Sequence, residues 1–86
     1  MTETTATLGY GCDLHARLAT KLVALCQPFA SDITLCAGGA EMNAKSIVSL
    51  MSGGVAKGST VHIRATGPDE TQAVGAVAAF ISASSD

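Results

Sequence analysis

The sequence predicts a two-layer α/β sandwich, with elements in the order β-α-β-β-α-β-α. Three observations carry this. Apolar residues alternate with a period of about 2 in some stretches and recur about every 3.6 residues in others. Turns rich in Gly and Pro separate these stretches. The outward strand positions are Thr, His and Arg, which suit water, while each helix offers one apolar stripe to cover the other sheet face.

Thr4–Leu8 is rich in β-branched residues and reads as a strand, broken by Gly9-Tyr10-Gly11. From Ala16 to Cys26 the period becomes helical, with Leu18, Leu22, Leu25 and Cys26 on one stripe. Pro28 closes this helix because it lacks the N–H that the ladder needs. Asp32–Cys36 alternates, with Ile33 and Leu35 on one face and Thr34 and Cys36 on the other. Gly38-Gly39 then makes a tight turn, and Ala40–Asn43 returns as the second arm of a hairpin. Ser46–Met51 reads as a short helix with Ser46 as N-cap, stopped by Gly53-Gly54. Thr60–Thr66 is the clearest strand: Val61, Ile63 and Ala65 face in, and Thr60, His62, Arg64 and Thr66 face out. After Gly67-Pro68, Asp69 and Gln72 have the spacing of a capping box, with Glu70 in the first turn. The last helix turns Val74, Val77, Ala78 and Ile81 inward.

Eighty-six residues make room for one domain, residues 1–86, around one small core. With 48% hydrophobic and 14% charged residues, the chain is globular rather than disordered. The cations Arg17, Lys21, Lys45, Lys57 and Arg64 are spread along a chain of net charge −2, which argues against nucleic-acid binding through clustered phosphate contacts. A chain without Trp also lacks the usual base-stacking platform. No signal peptide is visible at the start, and the apolar run Ala73–Ala83 is interrupted by Gly75 and Ser82. It falls short of the roughly 20 residues that cross a bilayer, so no membrane insertion is expected. Cys12, Cys26 and Cys36 form no CxxC pair, and reduced thiols in a cytoplasmic protein are the expectation.

The chemistry concentrates in Gly11-Cys12-Asp13-Leu14-His15-Ala16-Arg17-Leu18-Ala19. His15 stands at a loop-to-helix junction, with Arg17 two residues on. The first amides of a helix are unpaired and carry partial positive charge, which suits phosphate. Neutral imidazole is a nucleophile at pH 7, and a phosphoryl group on it would lie against the amides of Ala16 and Arg17 and near the Arg17 guanidinium. The bland reading is a solvated junction with Asp13 as an ordinary N-cap. Cys12 and His15 also have a ligand-like spacing, but no second ligand pair accompanies them, so neither a metal nor another cofactor is expected. Cys26 reads as a buried small hydrophobe and His62 as a solvent-facing strand residue.

Leu14-His15-Ala16-Arg17 before an apolar helix resembles the active-site motif of the HPr phosphocarrier proteins of the bacterial phosphotransferase system. Lys45-Ser46-Ile47 followed by Leu50, Lys57-Gly58 before the last strand, and Ala65-Thr66-Gly67-Pro68-Asp69-Glu70 leading into Ala73-Val74 fit the same family in register. The resemblance implies an α+β open-faced β-sandwich, a four-stranded antiparallel sheet covered on one face by three helices. It implies a stoichiometric phosphocarrier rather than an enzyme. His15 would accept a phosphoryl group on Nδ1 from enzyme I, with Arg17 stabilising charge, and pass it to an enzyme IIA. Ser46 would correspond to the site of a serine kinase, or be merely a helix cap; both readings stand. Thr20, Lys21, Ala24, Ile47, Val48 and Met51 would form the partner face, with Val48 outside and Leu50 inside. A monomer is expected. An alternative is a regulatory module of the same fold that binds a transcription regulator or enzyme through that face without phosphorylation.

The chain departs from the family at three positions. Leu18 stands where proline is usual, which restores an N–H and adds bulk near the phosphoryl site. Asp13 stands for a usual glycine, and Cys12 for a polar residue that often caps the helix. An aspartate so close to His15 would disfavour an incoming phosphoryl anion.

Overall fold

The computed structural model describes residues 1–9, 16–53 and 55–83. The elements are β1 (Thr2–Thr7), α1 (Ala16–Cys26), β2 (Asp32–Ala37), β3 (Ala40–Asn43), α2 (Ile47–Gly53), β4 (Thr60–Thr66) and α3 (Glu70–Ser82). The strands form one antiparallel sheet in the order β1-β4-β2-β3. β4 is central and its apolar residues Val61, Ile63 and Ala65 are all buried. They meet Ile33, Leu35 and Ala37 of β2 and Met42 of β3 on the same face. Leu18, Ala19, Leu22 and Cys26 of α1, Leu50 of α2, and Ala73, Val74, Val77 and Ile81 of α3 close over them. Among the described residues no helix covers the opposite sheet face, so the sandwich is open.

The local code accounts for most boundaries. Gly38 and Gly39 have φ of 58° and 84°, the paired positive values that a two-residue hairpin matched to strand twist requires. α1 ends at Cys26, two residues before Pro28. Ser46 caps α2: its Oγ accepts the Ser49 N–H at 3.2 Å and its carbonyl accepts the Leu50 N–H at 3.1 Å. α2 runs to Gly53 rather than stopping at Met51.

Two expectations are corrected by long-range partners. β1 starts at Thr2, not Thr4, because Thr2 and Glu3 pair with Ala65 and Arg64 on the long central strand. Leu8 lies beyond the strand, yet it is buried, and its N–H donates to the Ser59 carbonyl at 2.9 Å. Asp69 occupies the N-cap position of α3 but makes no capping bond with its side chain. Its carboxylate instead accepts the N–H groups of Ala30 at 2.9 Å and Ser31 at 3.0 Å, and the Ser31 hydroxyl. Of these donors, which follow α1, the groups of the buried Ser31 would otherwise lack a partner. Glu70 takes over part of the capping: it accepts the Gly67 N–H at 3.2 Å and the Thr2 hydroxyl at 2.6 Å.

Candidate functional site

The exposed side of α1 and the adjoining α2 carry the candidate surface. Ala16, Arg17, Thr20, Lys21 and Ala24 are all exposed, and the last four recur at the spacing of one helix face. Thr20 donates its hydroxyl to the Ala16 carbonyl at 2.8 Å, one turn back along the helix. Leu18 points the other way and is fully buried, so its bulk is absorbed by the core. His15, Cys12 and Asp13 lie outside the described residues.

α2 is too short to bury all its apolar residues, and the structure divides them sharply. Leu50 is 1% exposed and Val48 76%, with Ile47 and Met51 also exposed. Val48 thus shows most of its surface to water while its neighbour two positions on is core. Large apolar side chains grouped and left exposed in this way make α2 a candidate interaction surface. Neither α1 nor α2 contains an acidic residue, and Arg17 and Lys21 both lie on the exposed side of α1.

Sequence reasoning missed what joins the two helices. Gln27, just past α1, donates to the Lys45 carbonyl at 3.2 Å, and the Lys45 ammonium reaches the Phe29 carbonyl at 2.6 Å. Asn43 accepts the Lys45 N–H at 2.9 Å and donates its own N–H to Ser49 Oγ at 2.8 Å. These bonds fix the approach to α2 against the end of α1. The Gln27–Lys45 and Lys45–Phe29 bonds join residues distant in sequence, and nothing local announces them. Ser46, partly buried in this turn, has its oxygen engaged as the cap.

Cys26 packs in the core, and burial pushes its thiol up to about 11. It is unsuited to coordinate a metal with Cys12 and His15.

The layers define a small open-faced sandwich protein with one exposed helical face. A family model described as "PTS HPr component phosphorylation site" matches residues 2–83. An HPr of Thermoanaerobacter tengcongensis is 37% identical, with 94% of this chain and 91% of that one covered and a TM-score of 0.88. A phosphocarrier protein HPr from Bacillus anthracis is 31% identical over 93% of this chain and 95% of that one, also with a TM-score of 0.88. The catabolite repression protein Crh of Bacillus subtilis, described as an intertwined dimer with a swapped domain, is 40% identical over 81% of this chain and 80% of that one, with a TM-score of 0.76. The chain belongs to the HPr family, the phosphocarriers of the phosphotransferase system.

Proposed function

We propose that this chain, acting as one domain over residues 1–86, accepts a phosphoryl group on His15 Nδ1 from enzyme I and delivers it to an enzyme IIA. The match of the family's phosphorylation-site model over residues 2–83 carries this reading, since it spans Leu14-His15-Ala16-Arg17. In the forward step the neutral imidazole attacks phosphorus, the bond to the donor breaks, and the phosphoramidate retains the negative charge. The amides of Ala16 and Arg17 at the start of α1 and the Arg17 guanidinium stabilise that charge. The reverse attack by a IIA nucleophile restores His15, so the protein is a stoichiometric carrier and not an enzyme with its own turnover. Thr20, Lys21, Ala24, Ile47, Val48 and Met51 form the docking face for both partners.

The protein is proposed to work as a cytoplasmic monomer, measurable by sedimentation. A serine kinase acting on Ser46 would add nearly two negative charges beside the docking face and weaken an acidic partner. Ser46→Asp should then impair transfer more than Ser46→Ala, which loses only the cap. Incubation with enzyme I and phosphoenolpyruvate should give an acid-labile phosphoprotein, absent in His15→Ala. A wild-type protein that takes no label from cognate enzyme I overturns the reading.

The similarity to Crh favours a second reading, a regulatory module that binds a transcription regulator or enzyme through the same face. In that case His15→Ala keeps its partner and Val48→Asp loses it.

A further inference from the structure

Two hydrogen bonds between the end of α1 and the start of α2 run through one residue. The Lys45 ammonium donates to the Phe29 carbonyl at 2.6 Å, and the Lys45 carbonyl accepts the Gln27 side-chain amide at 3.2 Å. Both partners are themselves held to α1. The Gln27 N–H donates to the Val23 carbonyl at 2.9 Å and the Phe29 N–H to the Cys26 carbonyl at 3.1 Å, while the partly buried Phe29 packs against the core. α1 has no basic residue in its last turn, where the aligned backbone dipoles leave partial negative charge. Lys45 brings a cation there from outside the helix. Its charge is felt at the Cys26 thiol, which burial raises and the ammonium lowers.

Lys45 directly precedes Ser46, the N-cap of α2, so its backbone sets where that helix begins. Leu50 is buried, and Gly53 lies so close to Met42 that a Cβ would meet its sulfur, so these two hold α2 to the core and the sheet. Neither is a directional bond to α1, and a helix of 7 residues does not hold its own course in water. The exposed side chains are split between the two helices, with Thr20, Lys21 and Ala24 on α1 and Ile47, Val48 and Met51 on α2. A face in two parts meets a partner without an ordering cost only when the parts already stand in the bound arrangement. We infer, resting on the docking face proposed for this chain, that Lys45 is a positioning residue for docking: its ammonium locks the start of α2 to the end of α1 and so holds Val48 at a set place relative to Lys21. Lys45 acts through α2 and not by touching the partner.

The test compares Lys45→Met, which keeps a long stem but loses the charge and the donors, with Lys45→Arg, which keeps both. Two readouts are taken on the full chain: phosphoryl transfer from enzyme I at varied carrier concentration, and amide hydrogen exchange at Ser49 and Leu50, whose N–H groups bond Ser46. Lys45→Met should raise KM about tenfold and leave the rate at saturation unchanged, and should speed exchange at both amides about tenfold; Lys45→Arg should restore both. Gln27→Met removes the other bond and leaves the ammonium in place. It should raise KM in the same direction, and the double variant should add little to Lys45→Met. Should Lys45→Met fail to fold, the exposed Gln27 carries the same test. A wild-type KM in Gln27→Met means that Lys45 touches the partner itself and overturns the inference. So does a lower melting temperature in Lys45→Met with KM and exchange unchanged, which leaves only a structural role. If the wild-type protein takes no label from enzyme I, the phosphocarrier reading falls, and exchange alone decides: faster in Lys45→Met supports the lock, unchanged overturns it.

Discussion

Replacing Val48 by aspartate should separate docking from folding. The side chain is 76% exposed, so its loss costs the core little, and an exposed substitution of this kind is worth within about 0.5 kcal/mol of stability. Position 48 is the second residue of α2, where a negative charge is mildly favourable to the helix. Binding is different. Fully burying a side chain of this size is worth about 1.5–3 kcal/mol, and some three quarters of it is available to a partner, which leaves about 1–2 kcal/mol lost with the apolar contact. A carboxylate pressed without a partner against an apolar surface adds about 1–2 kcal/mol more. The sum, about 2–4 kcal/mol, corresponds to about 30- to 1000-fold weaker binding. The assay is phosphoryl transfer from enzyme I at varied carrier concentration, beside a thermal melt. KM should rise steeply, while the rate at saturation and the melting temperature stay near wild type. Leu50→Ala is the contrasting case: it should cost about 2–5 kcal/mol of stability, because it empties a core position. An unchanged KM in a folded Val48→Asp protein refutes the assignment of this face.

Other outcomes follow from the packing. Gly67 has a φ of 152°, and a Cβ there would lie 2.6 Å from the Ser31 Cα, so Gly67→Ala should lose about 2 kcal/mol or more by urea denaturation; an unaltered midpoint contradicts this. The Thr2 hydroxyl, then the Gly67 N–H and the terminal ammonium, hold Glu70 down to about 2, and the Ser31 hydroxyl followed by the Ala30 N–H lowers Asp69. Both carboxylates bind protons more weakly in the native state than in the unfolded one. Their stabilisation is therefore present above the ordinary carboxylate range and lost as pH falls from about 4.5 towards 2, and Thr2→Val should flatten that loss in urea titrations; an identical pH profile counts against it. Cys26 should resist iodoacetamide in the native protein and react once urea unfolds it, and rapid native alkylation disagrees with its burial.

Element types and their order were legible because period two and period 3.6 differ plainly in so apolar a chain. The inward set of β4 and the Gly38-Gly39 turn both follow from local rules of this kind. The candidate site was legible only through the resemblance, since a histidine before a helix is by itself an ordinary junction. The capping box at Asp69 misled because the same carboxylate can serve its own helix or a distant segment. The limits of β1 were misjudged because an edge strand extends as far as its neighbour offers unpaired groups.

Backbone propensity and apolar spacing, which act over a few residues, determined the helices, the strands and the residues that enter the core. Only the assembled fold decided which donors each polar group would meet. It turned Asp69 to residues 30 and 31, tied Lys45 to the Phe29 carbonyl, and set Arg64 against Cys36 across two strands. The reason is distance: burying apolar surface needs no specific partner, whereas a hydrogen bond forms only when two particular atoms come within about 3 Å, and chain folding alone brings residues far apart in sequence that close.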